Sequence, residues 1–309
     1  MRRGVPVLVL LAGVALAIAV LLAAPRAAAV GWLAGFVIAG AVPLGATAWL
    51  LIARLTGGEW AAPLLPLARV TPWLLVAGLP LAVASLALAP PPHLRVYLSP
   101  PLLIARDHAA VALLAWAGRR VERLSVTAAA LLLVTYALIV TMLGCDWLLV
   151  VEPGHSATVA GMLLAVVQLL GGLGAALLLG TGAHAARADL AKLLVACALA
   201  LVYMLYVDWL IVWYGNLPEH VGWYVDRLRG GWIVVPFVGA SALPATIWAA
   251  ATDRLRLAGG IALAGMAIGM GWWIGAPDGW PMAVGAVGGA AAATGLMTFG
   301  RRREAVRRG

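Results

Sequence analysis

The chain has 309 residues, 64% of them apolar and only 11% charged, with a mean hydropathy of +1.02 and a net charge of +9. A soluble domain of that make-up would expose too much apolar surface, so the chain is expected to sit in a bilayer. Its apolar runs are long, continuous and rich in Ala, Leu, Val and Gly, without the alternation of strands. A β-barrel is thereby excluded and an all-α bundle is expected, since helices satisfy their own backbone in lipid.

Runs long enough to cross a bilayer number about ten, at roughly 17–25 residues each. The first, Val5–Ala24, follows Arg2-Arg3 and precedes Ala27-Ala28-Ala29, a pattern shared with signal peptides. Its apolar core exceeds their usual roughly 7–15 residues, so residues 1–24 are read as a retained first transmembrane helix. Ala29–Ala53 and Pro72–Ala89 follow. The fourth run, Pro101–Ala117, is short, opens on Pro100-Pro101 and contains Arg106, Asp107 and His108. Then come Leu124–Gly144, Ser156–Gly180, Leu190–Trp213 (with Asp208 inside it), Gly231–Ala251, Leu255–Ile274 and Trp280–Phe299. No connecting loop is long enough to fold alone, so residues 1–309 read as a single integral membrane domain.

Cationic residues set the orientation. With ten spans and the N-terminus inside, Arg2, Arg3, Arg54, Arg69, Arg119, Arg120, Arg123, Arg187, Lys192, Arg254, Arg256, Arg301, Arg302, Arg303, Arg307 and Arg308 fall on the cytoplasmic side. Only Arg26, Arg95, Arg227 and Arg229 fall outside, and Arg106 is embedded. Both termini are therefore expected in the cytoplasm. The positive charge serves this topology, and no nucleic-acid partner is expected.

Arg106, Asp107, His108 and Asp208 are costly inside a membrane and need partners, a wet cavity or a function. Arg106 and Asp208 each lie five residues from the outer end of a helix, roughly 7–8 Å below the interface at 1.5 Å per residue. Matching depths make Asp208 the expected partner of Arg106, with outward snorkelling of Arg106 as the rival. Asp107 is its chain neighbour, and adjacent helix positions do not face each other.

Two outer connections hold the remaining candidates. Asp146, Glu152, His155 and Ser156 lie between the fifth and sixth runs; Ser156 and Glu152 suit helix capping and loop structure, whereas Asp146 and His155 suit proton transfer equally well. The seventh run leads out through Tyr203, Tyr206, Asp208, Trp213, Tyr214, Asn216, Glu219 and His220. Tyr203, Tyr206, Leu210 and Trp213 share one helical face. Trp213, Tyr214 and Trp223 fit an interfacial aromatic belt as well as they fit a binding site, while the deeper tyrosines are expected to find internal partners. Asp146, His155 and Glu219 are the candidate acid–base groups, and Tyr206, Trp213 and Asn216 the candidate headgroup contacts.

Cys145 and Cys197 have no CxxC or CxxCH spacing, which argues against a cysteine-ligated cluster or covalent haem. Of five histidines only His108 falls inside a run, so a bis-histidine haem is not expected, and no His/Glu pair at helical spacing points to a metal. Gly171, Gly172 and Gly174, like Gly285–Gly289, would let helices approach closely. Such glycines also suit a transporter, but Thr135, Tyr136 and Gln168 alone would make a poor proton wire, and no repeat of interrupted helices is seen.

The stretch Asp146-Trp147…Glu152-Pro153…His155-Ser156…Thr158 resembles a DW…(D/E)P-H-W-x-S-T segment, and Trp213-Tyr214-Gly215-Asn216-Leu217-Pro218-Glu219 resembles a WY-A-N-(I/L)-P-E motif. Both belong to the second quinone-binding-type membrane subunit of alternative complex III, which is NrfD-like and related to the membrane subunit of polysulfide reductase. Leu55–Trp60 and Tyr97–Arg106 add weaker matches in the same order. The resemblance implies a bundle of about ten helices beside iron–sulfur and multihaem cytochrome c subunits, with quinone or quinol as its ligand and no covalently bound cofactor. The chain departs from that pattern at Gly154, Gly215 and His220, and at Asp107, His108 and Asp208 where apolar or neutral residues are expected. Two rivals stand beside this reading: a structural or assembly partner of a terminal oxidase, and a secondary transporter or proton-conducting unit.

Overall fold

The computed structural model describes residues 8–9, 11–15, 22–75, 95–149, 155, 158–180, 182–216, 218–275, 286–287, 290–291 and 294. Among them every regular element is helical: α1 (Pro25–Thr56), α2 (Pro100–Arg120), α3 (Val126–Gly144), α4 (Ala160–Leu179), α5 (His184–Tyr214), α6 (Pro218–Leu228), α7 (Val234–Ala251) and α8 (Leu255–Gly275). Six are long and apolar enough to cross a membrane: α1, α3 with its extension to Leu148, α4, α5, α7 with the turn before it, and α8. α2, which carries Arg106, Asp107, Arg119 and Arg120, is not among the six. Half of the expected first run and most of the third and tenth lie outside the described residues.

Local chemistry fixes several helix ends. α1 opens on Pro25, whose missing N–H costs nothing at a helix start, and closes on Gly57 at φ +68°, where a side chain would be strained. The Ser125 side chain accepts from the Ala128 amide at 3.1 Å and so caps α3. The sixth run is expected to begin at Ser156, capped by that side chain. α4 starts later, at Ala160 behind Val159, and Ser156 itself lies outside the described residues.

α1 is the axis of the bundle. Its most apolar window is 83% buried, against 11% for α7, which lies at the edge of the bundle against α8. α1 and α4 touch backbone to backbone: a Cβ on Gly45 would collide with the Gln168 carbonyl, and one on Gly172 would meet the Ala46 nitrogen at 2.6 Å. The other side of α4 receives α8 in the same way, a Cβ on Gly259 meeting the Leu178 nitrogen at 2.8 Å. Small residues permit this approach, and dispersion contacts then hold helices that gain nothing from lipid exclusion. Polar clips reinforce it: Trp49 Nε1 donates to the Leu169 carbonyl, and Tyr136 Oη to Gln168 Oε1, both at 2.9 Å. The polar side chains of Tyr136 and Gln168 thus satisfy each other between α3 and α4.

Candidate functional site

Asp208 is where hydrophobic patterning placed it, near the end of α5 and 3% exposed. Its partner is not Arg106. His155 Nε2 stands 3.1 Å from Asp208 Oδ2, which also accepts from Tyr224 Oη at 2.9 Å and Trp273 Nε1 at 3.4 Å. The expected Arg106–Asp208 pair fails because Asp146 and His155, which composition places in outer connections, are the nearer partners of Arg106 and Asp208. His155, expected in an outer loop, is buried with its side chain wholly enclosed.

A carboxylate only accepts, so the neutral His155 ring carries its hydrogen on Nε2 and keeps a lone pair on Nδ1. That Nδ1 is buried and has no hydrogen-bond partner among the described residues. The Trp223 ring stacks on the imidazole at 4.2 Å and 15°, with Tyr224 and Trp273 edge-on at 5.8 and 5.7 Å. Arg227 completes the enclosure. It is 1% exposed, lies 3.8 Å over Trp223, and donates from Nε to the Trp273 carbonyl at 3.1 Å. Trp272 Nε1 in turn donates to the Arg227 carbonyl at 3.2 Å. Burial, and then the charge and hydrogen bond of Asp208, push the Tyr224 hydroxyl well above the usual phenol range.

This arrangement depends on α6, a segment that composition presents as a polar outer loop. Its residues Trp223 and Arg227 stand four apart and therefore share a face, and that face is buried, while Glu219 and Val221 remain outside. Tyr224, Arg227, Trp272 and Trp273 were not anticipated. The readable signal was the Trp223/Arg227 spacing in an otherwise polar segment.

A second buried cluster forms between α2 and the π-helical turn Cys145–Leu149 that prolongs α3. Arg106 donates from Nε to Asp146 Oδ2 at 2.8 Å, its Nη2 stands 2.7 Å from the same oxygen, and its Nη1 donates to the Tyr97 carbonyl at 3.1 Å. The guanidinium also lies 3.9 Å over the Tyr97 ring. Asp146 was expected in an outer loop, yet its side chain is fully buried, because the π turn rotates it back toward α2. Asp107 Oδ1 comes within 3.8 Å of Arg106 Nε, and Asp107 Oδ2 accepts from Trp147 Nε1 at 2.8 Å. Burial first, and then the Asp146 charge, raise the Tyr97 hydroxyl above its ordinary range, with Arg106 opposing. His108 turns its Nδ1 to its own helix, 2.9 Å from the Ile104 carbonyl.

His220 stands edge-on to His155 at 6.5 Å, whereas the other described candidates stay outside both clusters. Tyr203, Tyr206 and Trp213 do share a face of α5, but that face points outward, with exposures of 58%, 51% and 64%. The internal partners expected for the two tyrosines are therefore replaced by a surface ladder, in which Trp209 stacks on Trp213 at 5.3 Å and tilts against Tyr206 at 5.8 Å. Asn216 takes a left-handed conformation (φ 47°) at the turn after α5, and Glu219 sits exposed in the first turn of α6. Neither forms a hydrogen bond or ion pair with His155 among the described residues. Cys145 is exposed and Cys197 buried, both as free thiols. Among the described residues, no three His, Cys, Asp or Glu side chains gather into a metal-binding group. No protein family matches this chain in sequence, and no curated protein does.

Proposed function

We propose that this chain is a multi-pass subunit, of about ten helices with both termini cytoplasmic, of a bacterial inner-membrane respiratory complex of the quinol:cytochrome c oxidoreductase type. In this reading it supplies a quinol headgroup site and a route for proton release near the outer face. The observation that carries the reading is the buried His155–Asp208 pair, with a lone pair free on His155 Nδ1. A hydroquinone hydroxyl can give its proton to that nitrogen. The imidazolium so formed faces the Asp208 carboxylate at 3.1 Å, which stabilises it without moving. Tyr224 and Trp273 hold the carboxylate in place by donating to it. The two electrons of the quinol leave for iron–sulfur and haem groups in neighbouring subunits, and the two protons leave toward the outer face.

One observation favours a second reading, a structural or assembly subunit with the same fold. The His155 side chain is wholly enclosed, and Tyr206, Trp213 and Glu219 face away from it.

The deciding experiment is quinol oxidation by the assembled complex carrying His155→Gln. The proposal expects a loss of about a hundredfold or more, the usual contribution of a general base, with haem content and subunit stoichiometry unchanged. A normal rate in that variant would leave the structural reading in its place.

A further inference from the structure

At the opposite end of α5, some 24 residues from Asp208, a cleft of about 440 Å³ is lined by His184, Arg187, Asp253, Arg254, Arg256 and two leucines. Three arginines and one aspartate thus line the same cleft. That carboxylate is already engaged, since Asp253 accepts from His184 Nε2 at 3.0 Å. Asp189, the nearest acidic residue on α5, is engaged as well, accepting from Lys192 Nζ at 3.0 Å. No described carboxylate forms an ion pair with Arg187, Arg254 or Arg256. Arg187 Nε is fully buried and has no hydrogen-bond partner among the described residues. A buried, unpaired guanidinium nitrogen is costly to leave unsatisfied.

The backbone adds to the same field. α5 begins at His184 and α8 at Leu255, so two long helices start at the rim of one cleft. Ala183, at the N-cap of α5, offers no side chain to its first amides. Free amides and the positive ends of helix dipoles favour an anion there. Arg256 is held over the C-terminus of α4, where a Cβ on Gly180 would meet its Nη2 at 2.7 Å. Arg254 lies 4.8 Å over Trp248, which is itself 49% exposed beside Leu257 at 44%. An exposed tryptophan and leucine flanking a basic cleft mark the level of the membrane interface.

We propose that this cleft binds a phosphate group, presented by an anionic phospholipid headgroup or as free phosphate. A phosphate offers oxygens to several arginines at once, as a single carboxylate in that space would not. The site lies at the far end of the bundle from His155 and stands or falls independently of the quinol reading.

The test uses the purified full-length chain in neutral detergent. Native mass spectrometry compares its retention of phosphatidylglycerol with that of phosphatidylcholine, and thermal melting is followed with and without inorganic phosphate. The wild-type chain should retain phosphatidylglycerol preferentially if the source is lipid. It should instead gain melting temperature with phosphate, and show no lipid preference, if the source is the free ion. Each arginine near an anionic headgroup is worth roughly fivefold in binding, so R187Q/R254Q/R256Q should weaken the effect about a hundredfold. Arg254→Gln alone, on an exposed side chain, should weaken it about fivefold should the triple variant not fold. R119Q/R120Q, which removes charge from the same end of the bundle outside the cleft, should leave it intact. Absence of both effects in the wild-type chain would overturn the proposal. So would an effect that survives the cleft variants, or one lost equally in R119Q/R120Q.

Discussion

The two buried polar clusters solve one problem in different ways. Asp146 and Asp107 are balanced by Arg106, a cation at any physiological pH, in a contact between neighbouring helices. Asp208 is paired with His155, an imidazole whose second ring nitrogen is left without a partner among the described residues, inside a box of Trp223, Tyr224 and Trp273. A permanent cation holds a structure, whereas a titratable one holds it and can also carry a proton. The second cluster pairs a carboxylate with an imidazole, the pairing on which the proposed proton transfer rests.

That contrast can be tested by substitution. Arg106→Leu should be the most disruptive change, because it leaves two buried carboxyl groups without their cation; a loss of about 3–5 kcal/mol is expected, read as a fall in the melting temperature of the purified chain. Combining it with Asp208→Leu should give additive losses, since the two residues belong to separate clusters. Rescue in that double variant would reinstate the direct pair. Asp208→Asn keeps an oxygen for Tyr224 and Trp273 and should cost less, about 1–3 kcal/mol, measured in the same way.

Tyr224→Phe removes one hydrogen bond and should cost about 1 kcal/mol. Its pH dependence has a definite sign. The folded-state pKa of Tyr224 is raised above the ordinary value of 10.0. Its contribution is therefore complete below about pH 10 and is lost as pH climbs from there toward the folded-state value. The stability gap between wild type and Tyr224→Phe should thus be constant at neutral pH and narrow only in strong alkali. A gap that narrowed already below pH 10 would mean that the Tyr224 hydroxyl is not held as a donor in the buried site. The smallest effects belong to Glu219→Gln and Trp213→Phe, exposed positions where a change within about 0.5 kcal/mol is expected.

Hydropathy carries the helices and little else. The second, fourth to seventh, eighth and ninth runs all appear as α1, α2, α3, α4, α5, α7 and α8, with ends displaced by a few residues. The isolation of Asp208 and Asp107 within apolar runs correctly marked them as buried. Their partners were not legible. Asp146, His155 and Tyr224 all sit in connections that look solvent-exposed by composition, yet His155 is buried, and Asp146 and Tyr224 reach the interior through a π turn and an amphipathic helix. Apolar length is imposed by the bilayer and repeats in every span. The pairing of polar groups depends on how the connections fold back, which a linear pattern does not encode. Matching two charges by depth alone considered only residues inside spans, and so joined Arg106 to the wrong carboxylate.

The glycine contact between α1 and α4 also constrains the order of biogenesis. The residues it joins are far apart in the chain: Trp49 reaches a carbonyl 120 positions later. A translating ribosome delivers α1 to the lipid long before α4 exists, so the small-residue stripe around Gly45 must first face acyl chains. The axis of the finished bundle is therefore among the earliest helices inserted and among the last to be enclosed. A bulky residue at Gly45 or Gly172 would do its damage at that late docking step and leave insertion of either helix untouched.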